Sequence, residues 1–187
     1  MRCVPSGRTG KHSYLCQDGT LWINWTAWPD MQRIAFYPCC GKDILPPASA
    51  LTGIADEIIY CDISRSLRDD PLLVGCNGPR RTFWRMDIRE ALDQIARIDV
   101  FFYRRDGTSE GGSGIFVLGR DIMPLILAKM TAEPGLFITD GSNSRGGTFR
   151  KMQRNSGLTA FGKHIKKRPE QRFEALGMLE FDVRSNL

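Results

Sequence analysis

The chain has 187 residues, 42% hydrophobic and 25% charged, with a formal net charge of +5, which is one domain of ordinary globular composition. A chain of this length buries roughly 70% of the surface its unfolded form exposes, so it needs no disulfides to hold a core. It has no apolar run long enough for a transmembrane helix, and its opening Met1-Arg2-Cys3-Val4-Pro5-Ser6-Gly7-Arg8 lacks the apolar stretch of a signal peptide, so no membrane association and a cytoplasmic location are expected.

The first 30 residues read as an extension rich in Gly, Ser, Trp and turn formers. Trp22, Trp25 and Trp28 recur every third residue and could share one helical face. Such a set serves either as a satellite hydrophobic cluster or as a base-stacking surface. From residue 33 to 183 a core domain follows, built on a regular rhythm. Short β-prone runs stand at 33–37, 57–61, 82–86, 98–103 and 136–139. Between them, Ile88, Ala91, Leu92 and Ile95, and then Ile122, Leu125, Ile126 and Met130, carry helical spacing. Near-continuous apolar strands alternating with amphipathic helices predict an α/β fold, a three-layer doubly wound and mostly parallel sheet. Beyond it, 149–156 reads as a short basic helix stopped by Gly157. The segments 159–167 and 172–183, separated by Arg168-Pro169-Glu170-Gln171, read as the two strands of a hairpin, whose proline suits the connection.

Charge is distributed unevenly. Residues 1–144 carry 16 Lys+Arg against 17 Asp+Glu, whereas residues 145–187 carry 10 against 4. The basic set is Arg145, Arg150, Lys151, Arg154, Lys163, Lys166, Lys167 and Arg168, with Glu170 the lone acid between 141 and 173. Intermixed signs would serve solubility alone, so this segment is a candidate contact for the phosphates of a nucleic acid, the alternative being a solvated face.

In doubly wound sheets a ligand lies beyond the carboxyl ends of the strands, and here those ends are polar. Strand one leads into Tyr37-Pro38-Cys39-Cys40-Gly41-Lys42-Asp43, strand two into Asp62 and strand three into Asp87. Strand four ends at Tyr103 and leads into Arg104-Arg105-Asp106-Gly107-Thr108-Ser109-Glu110-Gly111-Gly112-Ser113-Gly114, and strand five into Asp140-Gly141-Ser142-Asn143-Ser144. In order and spacing, residues 33–183 resemble the class I S-adenosylmethionine-dependent methyltransferases, a Rossmann-like superfamily. The acid 25 residues past Tyr37, Asp62, stands where the family bonds the ribose hydroxyls, and Asp87 where it flanks the adenine. Ala132-Glu133-Pro134-Gly135-Leu136-Phe137-Ile138 resembles the family's turn into strand five.

The resemblance implies strand order 3-2-1-4-5 with the antiparallel hairpin attached to strand five. It also implies S-adenosylmethionine as cofactor, held by Tyr37, Pro38, Cys39, Gly41, Asp62, Asp87 and Tyr103, and a transferase activity whose methyl acceptor is unspecified. The family's first motif is usually G-x-G-x-G; here Gly41 alone remains, beside two cysteines and a proline. The alternative is therefore a methyltransferase-shaped module without chemistry, binding nucleic acid or a protein partner. Asp62 and Asp87 could instead cap helices, and residues 107–114 form either a plain loop or a ligand lip. Asp106 or Glu110 is a candidate general base.

Six cysteines at 3, 16, 39, 40, 61 and 76 are expected to be reduced. Cys3, His12, Cys16, Cys39 and Cys40 lack the close paired spacing of zinc sites, and no metal is expected. Cys39 or Cys40 at a helix N-terminus could be a nucleophile. His164, between lysines, reads as solvent-facing.

Overall fold

The computed structural model describes residues 32–63, 78–104, 115–144, 147–154 and 157–186. Arg33–Leu187 make one compact unit. The tryptophans at 22, 25 and 28, together with Cys3, His12, Cys16 and Cys76, lie outside the described residues.

In chain order the elements are β1 (Ile34–Pro38), α1 (Leu45–Ala50), β2 (Glu57–Cys61), β3 (Arg80–Trp84), α2 (Ile88–Gln94), β4 (Val100–Tyr103) and α3 (Met123–Lys129). Then follow β5 (Gly135–Thr139), α4 (Thr148–Arg154), β6 (Leu158–Ala160), β7 (Lys163–Lys167) and β8 (Leu179–Ser185). The strands join in one sheet of order β3-β2-β1-β4-β5-β8-β7-β6. Its first five strands are parallel, and β8 pairs antiparallel with β5, β7 with β8 and β6 with β7.

Register separates the two faces of the sheet. Phe36 lies opposite Phe101, Phe101 opposite Phe137, and Phe137 opposite Phe181, so these four rings share one face. Phe149 of α4 meets Phe181 edge-on, with centroids 6.3 Å apart, so α4 covers that face. The buried Lys163, which shares a face with Ile165, donates its Nζ proton to the Met130 carbonyl at the end of α3. The α2 and α3 helices are mutual neighbours, Lys129 Nζ donating to the Ile95 carbonyl at 3.0 Å. On the opposite face Tyr37, Tyr60 and Phe102 pack together. There the Tyr60 hydroxyl donates to the Ile44 carbonyl leading into α1, and Phe173 closes over Phe102. Three layers result, and they explain why β1, β2, β4 and β5 are buried almost throughout: a parallel sheet covered on both sides offers no wet face for alternation.

Two details depart from the sequence pattern. Ile88, Ala91, Leu92 and Ile95 are all buried, but in α3 Leu125 is 43% exposed, and Met123 and Leu127 complete the buried stripe with Ile122, Ile126 and Met130. The hairpin is also differently cut. Residues 159–167 are not one strand: the chain turns back at Phe161 (φ 53°) and Gly162 (φ 74°), making β6 and β7 a tight hairpin. The segment from 172 becomes strand only at Leu179, after a 3₁₀ turn at Glu174–Leu176. Buried Glu180 causes this. Its carboxylate accepts from the backbone N–H groups of Arg172 and Phe173 and from Arg168 Nη1, folding the connection over the strand instead of extending it.

Candidate functional site

The carboxyl ends of β1 to β5 line one edge of the sheet, with α1 after β1 and α2 after β3 on opposite faces. The turn after β1 is tightly wound. Cys39 and Gly41 both adopt positive φ (52° and 54°), which costs little for glycine but is uncommon for a residue with a Cβ. Asp62, at the end of β2, secures the turn: its Oδ2 accepts from the Gly41 N–H at 3.0 Å, while its own N–H donates to the Trp84 carbonyl. One residue, through its carboxylate and its backbone N–H, thus joins the ends of β1, β2 and β3.

A second network joins β1 to β4. Asp43 takes two hydrogen bonds of 2.6 Å from Arg104 Nε and Nη2, the fork geometry that makes Arg–carboxylate pairs strong. The Tyr37 hydroxyl lies 2.8 Å from Asp43 Oδ2 and 2.9 Å from the Arg104 carbonyl. Its pKa is driven far above the ordinary value, first by burial and then by Asp43, so it stays protonated. Its side chain is fully enclosed, and any ligand contact at this position would come from the main chain. The hydrogen bond to Asp43 raises the Arg104 pKa further.

Asp87 caps α2, its Oδ1 accepting from the Arg89 N–H at 2.8 Å; the capping role weighed from sequence is present. The buried Tyr103 hydroxyl accepts from Asn143 Nδ2 at 2.6 Å. Burial pushes its pKa up to about 12 although Asn143 and Ser142 oppose the shift. Asn143 had no distinguishing signal in the sequence, because only the fold brings the loop after β5 over the end of β4. The same holds for Asp43, which spacing alone could not pair with a residue 61 positions away.

The described thiols are held in the protonated form. Neither Cys39 nor Cys40 stands at a helix N-terminus, since α1 begins at Leu45. Burial, reinforced by Asp62, pushes Cys39 up to about 12 and raises Cys40 further. Cys61 is likewise pushed up to about 12 by burial and lies 3.3 Å from the Met86 carbonyl. Among the described residues no three His, Cys, Asp or Glu side chains form a metal-holding group.

Asp106 and Glu110, with the whole 107–114 stretch, lie outside the described residues, as does Arg145. The other basic residues do not form one patch. Lys163 is 9% exposed and bound to Met130 and Ser185. Arg168 pairs with Glu180 and Asp182. Both are removed from the expected phosphate-binding set because their charges are spent inside the fold. Arg150, Lys151 and Arg154 are exposed on α4. Lys166, also exposed, alternates with Ile165 and so points away from the face that α4 covers, while Lys167 lies part-buried on the α4 side.

A doubly wound α/β sheet of order β3-β2-β1-β4-β5, extended by three antiparallel strands and carrying carboxylates at the ends of β2 and β3, is thus the class of structure defined. No family model and no curated protein matches the chain. Among solved structures it is similar to the ribosomal protein L11 methylase of Lactobacillus delbrueckii subsp. bulgaricus, at 14% identity and TM-score 0.46, over 85% of this chain and 73% of that one. It is similar to an rRNA methylase of Streptococcus thermophilus at 10% identity and TM-score 0.44, over 83% and 88%. It is also similar to the spermidine synthase of Thermotoga maritima at 13% identity and TM-score 0.45, over 82% of this chain and only 54% of the other. The fold assignment itself rests on strand order and register. No helix among the described residues is long and apolar enough to cross a membrane.

Proposed function

We propose that this protein binds S-adenosylmethionine at the carboxyl ends of β1, β2 and β3 and transfers its methyl group. The observation that carries the reading is Asp62: a carboxylate at the end of the strand beside β1, bonded to the turn that follows β1 in a sheet of order 3-2-1-4-5. Asp62 and Asp87 suit the hydroxyl and amino groups of an adenosine, and the main chain of 37–41 would line the remainder, with Tyr103 bounding the site at β4. The bound cofactor would supply an electrophilic methyl group. The protein's own task is then alignment and exclusion of water, which methyl transfer chiefly requires. Asp106 and Glu110 are the proposed bases for an acceptor that must lose a proton. The 33–183 core would act as one domain with 1–30 as its extension.

A specific observation favours the second reading, a module that binds nucleic acid or a protein without chemistry. Cys39 carries a side chain at φ 52°, and after burial Asp62 and Asp87 both raise its pKa, so the thiol lies near the carboxylates meant for the ligand. Calorimetric titration with S-adenosylmethionine and S-adenosylhomocysteine separates the two. Under the first reading both bind, and Asp62→Ala weakens them by about 1.5–3 kcal/mol. Under the second neither binds to the wild-type protein. Cys39→Gly relieves both strain and crowding, and is expected to tighten binding if the thiol only narrows the site.

A further inference from the structure

We infer that the outer face of α4 is a nucleic-acid contact surface, which makes a nucleic acid the methyl acceptor where the methyltransferase reading above holds. Arg150, Lys151 and Arg154 are all exposed, while Phe149 and Met152 are buried against the sheet. At 3.6 residues per turn the three cations fall within an arc of about 100°. Among the described residues none of them is held in an ion pair, and the sequence has no Asp or Glu from 141 to 169.

The chemistry of the strip selects its partner. A membrane-surface helix must offer an apolar face to lipid, and that of α4 is already used on the core. A protein interface is centred on aromatic or aliphatic anchors; the described outer residues of α4 are instead Arg150, Lys151, Gln153 and Arg154. Repeated cations with no apolar anchor suit a repeated anion, the phosphodiester backbone, whose binding is dominated by this sequence-independent term. Position links the strip to the ligand end of the sheet. Gly141, at φ 79°, lies so close to Phe149 that a Cβ would collide with the ring. The first turn of α4 is therefore pressed against the loop that delivers Asn143 to Tyr103.

The experiment is titration of fluorescein-labelled single-stranded and duplex oligonucleotides across a salt series, without cofactor. The variant R150Q/K151Q/R154Q should lower the log–log slope by about 2 for single strands and nearly 3 for duplex, three phosphates at about 0.7 or 0.9 each. R150K/R154K, which keeps the charges, should keep the slope. Lys166→Gln, on the opposite face of the sheet, should also leave it unchanged. An unaltered slope in the triple variant, an equal loss in Lys166→Gln, or no wild-type binding at low salt would overturn the assignment. So would poly-glutamate binding with the same dependence on α4, which would point to an acidic protein instead. Absence of S-adenosylmethionine uptake defeats the methyltransferase reading and leaves this surface standing, so the two failures are distinguishable.

Discussion

The parallel half of the sheet and its antiparallel extension both bury carboxylates, but they use them differently. In the extension Glu180 is fully buried and bound by Arg168 and by the backbone of 172 and 173. Gln171 completes the arrangement, accepting from the Glu180 N–H and donating to the Glu180 carbonyl. Such a charge is structural: removing its partners would leave it stranded in the core. In the parallel half Asp43 and Asp62 sit at strand ends, tying turns together across β1, β2 and β4 while remaining at the rim where a ligand would arrive. A buried charge near the start of a strand, wrapped by the chain that leads into it, holds that chain; one past the carboxyl end of a strand can hold the chain and meet a ligand.

The sharpest way to break this contrast is Glu180→Ala. Loss of a buried, multiply bonded carboxylate should cost about 3–5 kcal/mol in urea unfolding, with the affinity for the proposed cofactor unaltered in the remaining folded protein. A cost below 1 kcal/mol, roughly that of an exposed pair, would refute its structural role. Next in size, Asp43→Ala should cost about 1.5–3 kcal/mol, as expected for hydrogen bonds to a charged group, and should lower the Tyr37 pKa only in part, since burial is its larger cause. An unchanged urea midpoint in the variant would contradict that.

Smaller again, Asp87→Ala removes the cap of α2 and should cost about 0.5–2 kcal/mol. If calorimetry shows ligand affinity falling with no change in the urea midpoint, the carboxylate belongs to the ligand and not to the helix. The smallest effect is alkaline. Cys39 and Cys61 are pushed up to about 12 in the fold, against about 8.5 in an unfolded chain. Above that lower value the unfolded state binds fewer protons, so stability is complete below about pH 8.5 and declines as pH rises toward 12. By pH 9 each thiol should have removed less than about 1 kcal/mol, and Cys39→Ala should flatten the decline. Urea midpoints that rise between pH 8 and 10 would have the wrong sign.

The local pattern determined much of this molecule. Five β-prone runs of strand length, with 3.6-period segments between the third and fourth and between the fourth and fifth, point to a covered parallel sheet, because near-continuous apolar strands need both faces buried. The basic run from Phe149 was legible as a helix in the same local way, and α4 spans Thr148–Arg154. Asp62 and Asp87 were legible as strand-end acids, since the carboxyl ends of such a sheet are where chain polarity collects.

Only the tertiary structure decided how those groups are used. Long-range hydrogen bonds paired Asp43 with Arg104 and set Asn143 on Tyr103, and loop closure brings such residues together without leaving a spacing rule behind. Burial turned Cys39 and Cys40 from candidate nucleophiles into protonated thiols. Alternation along β7 divided the basic segment, sending Lys163 inward to the end of α3 and Lys166 away from α4. Charge can be counted in a sequence, but the face on which it emerges depends on register, and register is settled only when strands pair and one side is buried.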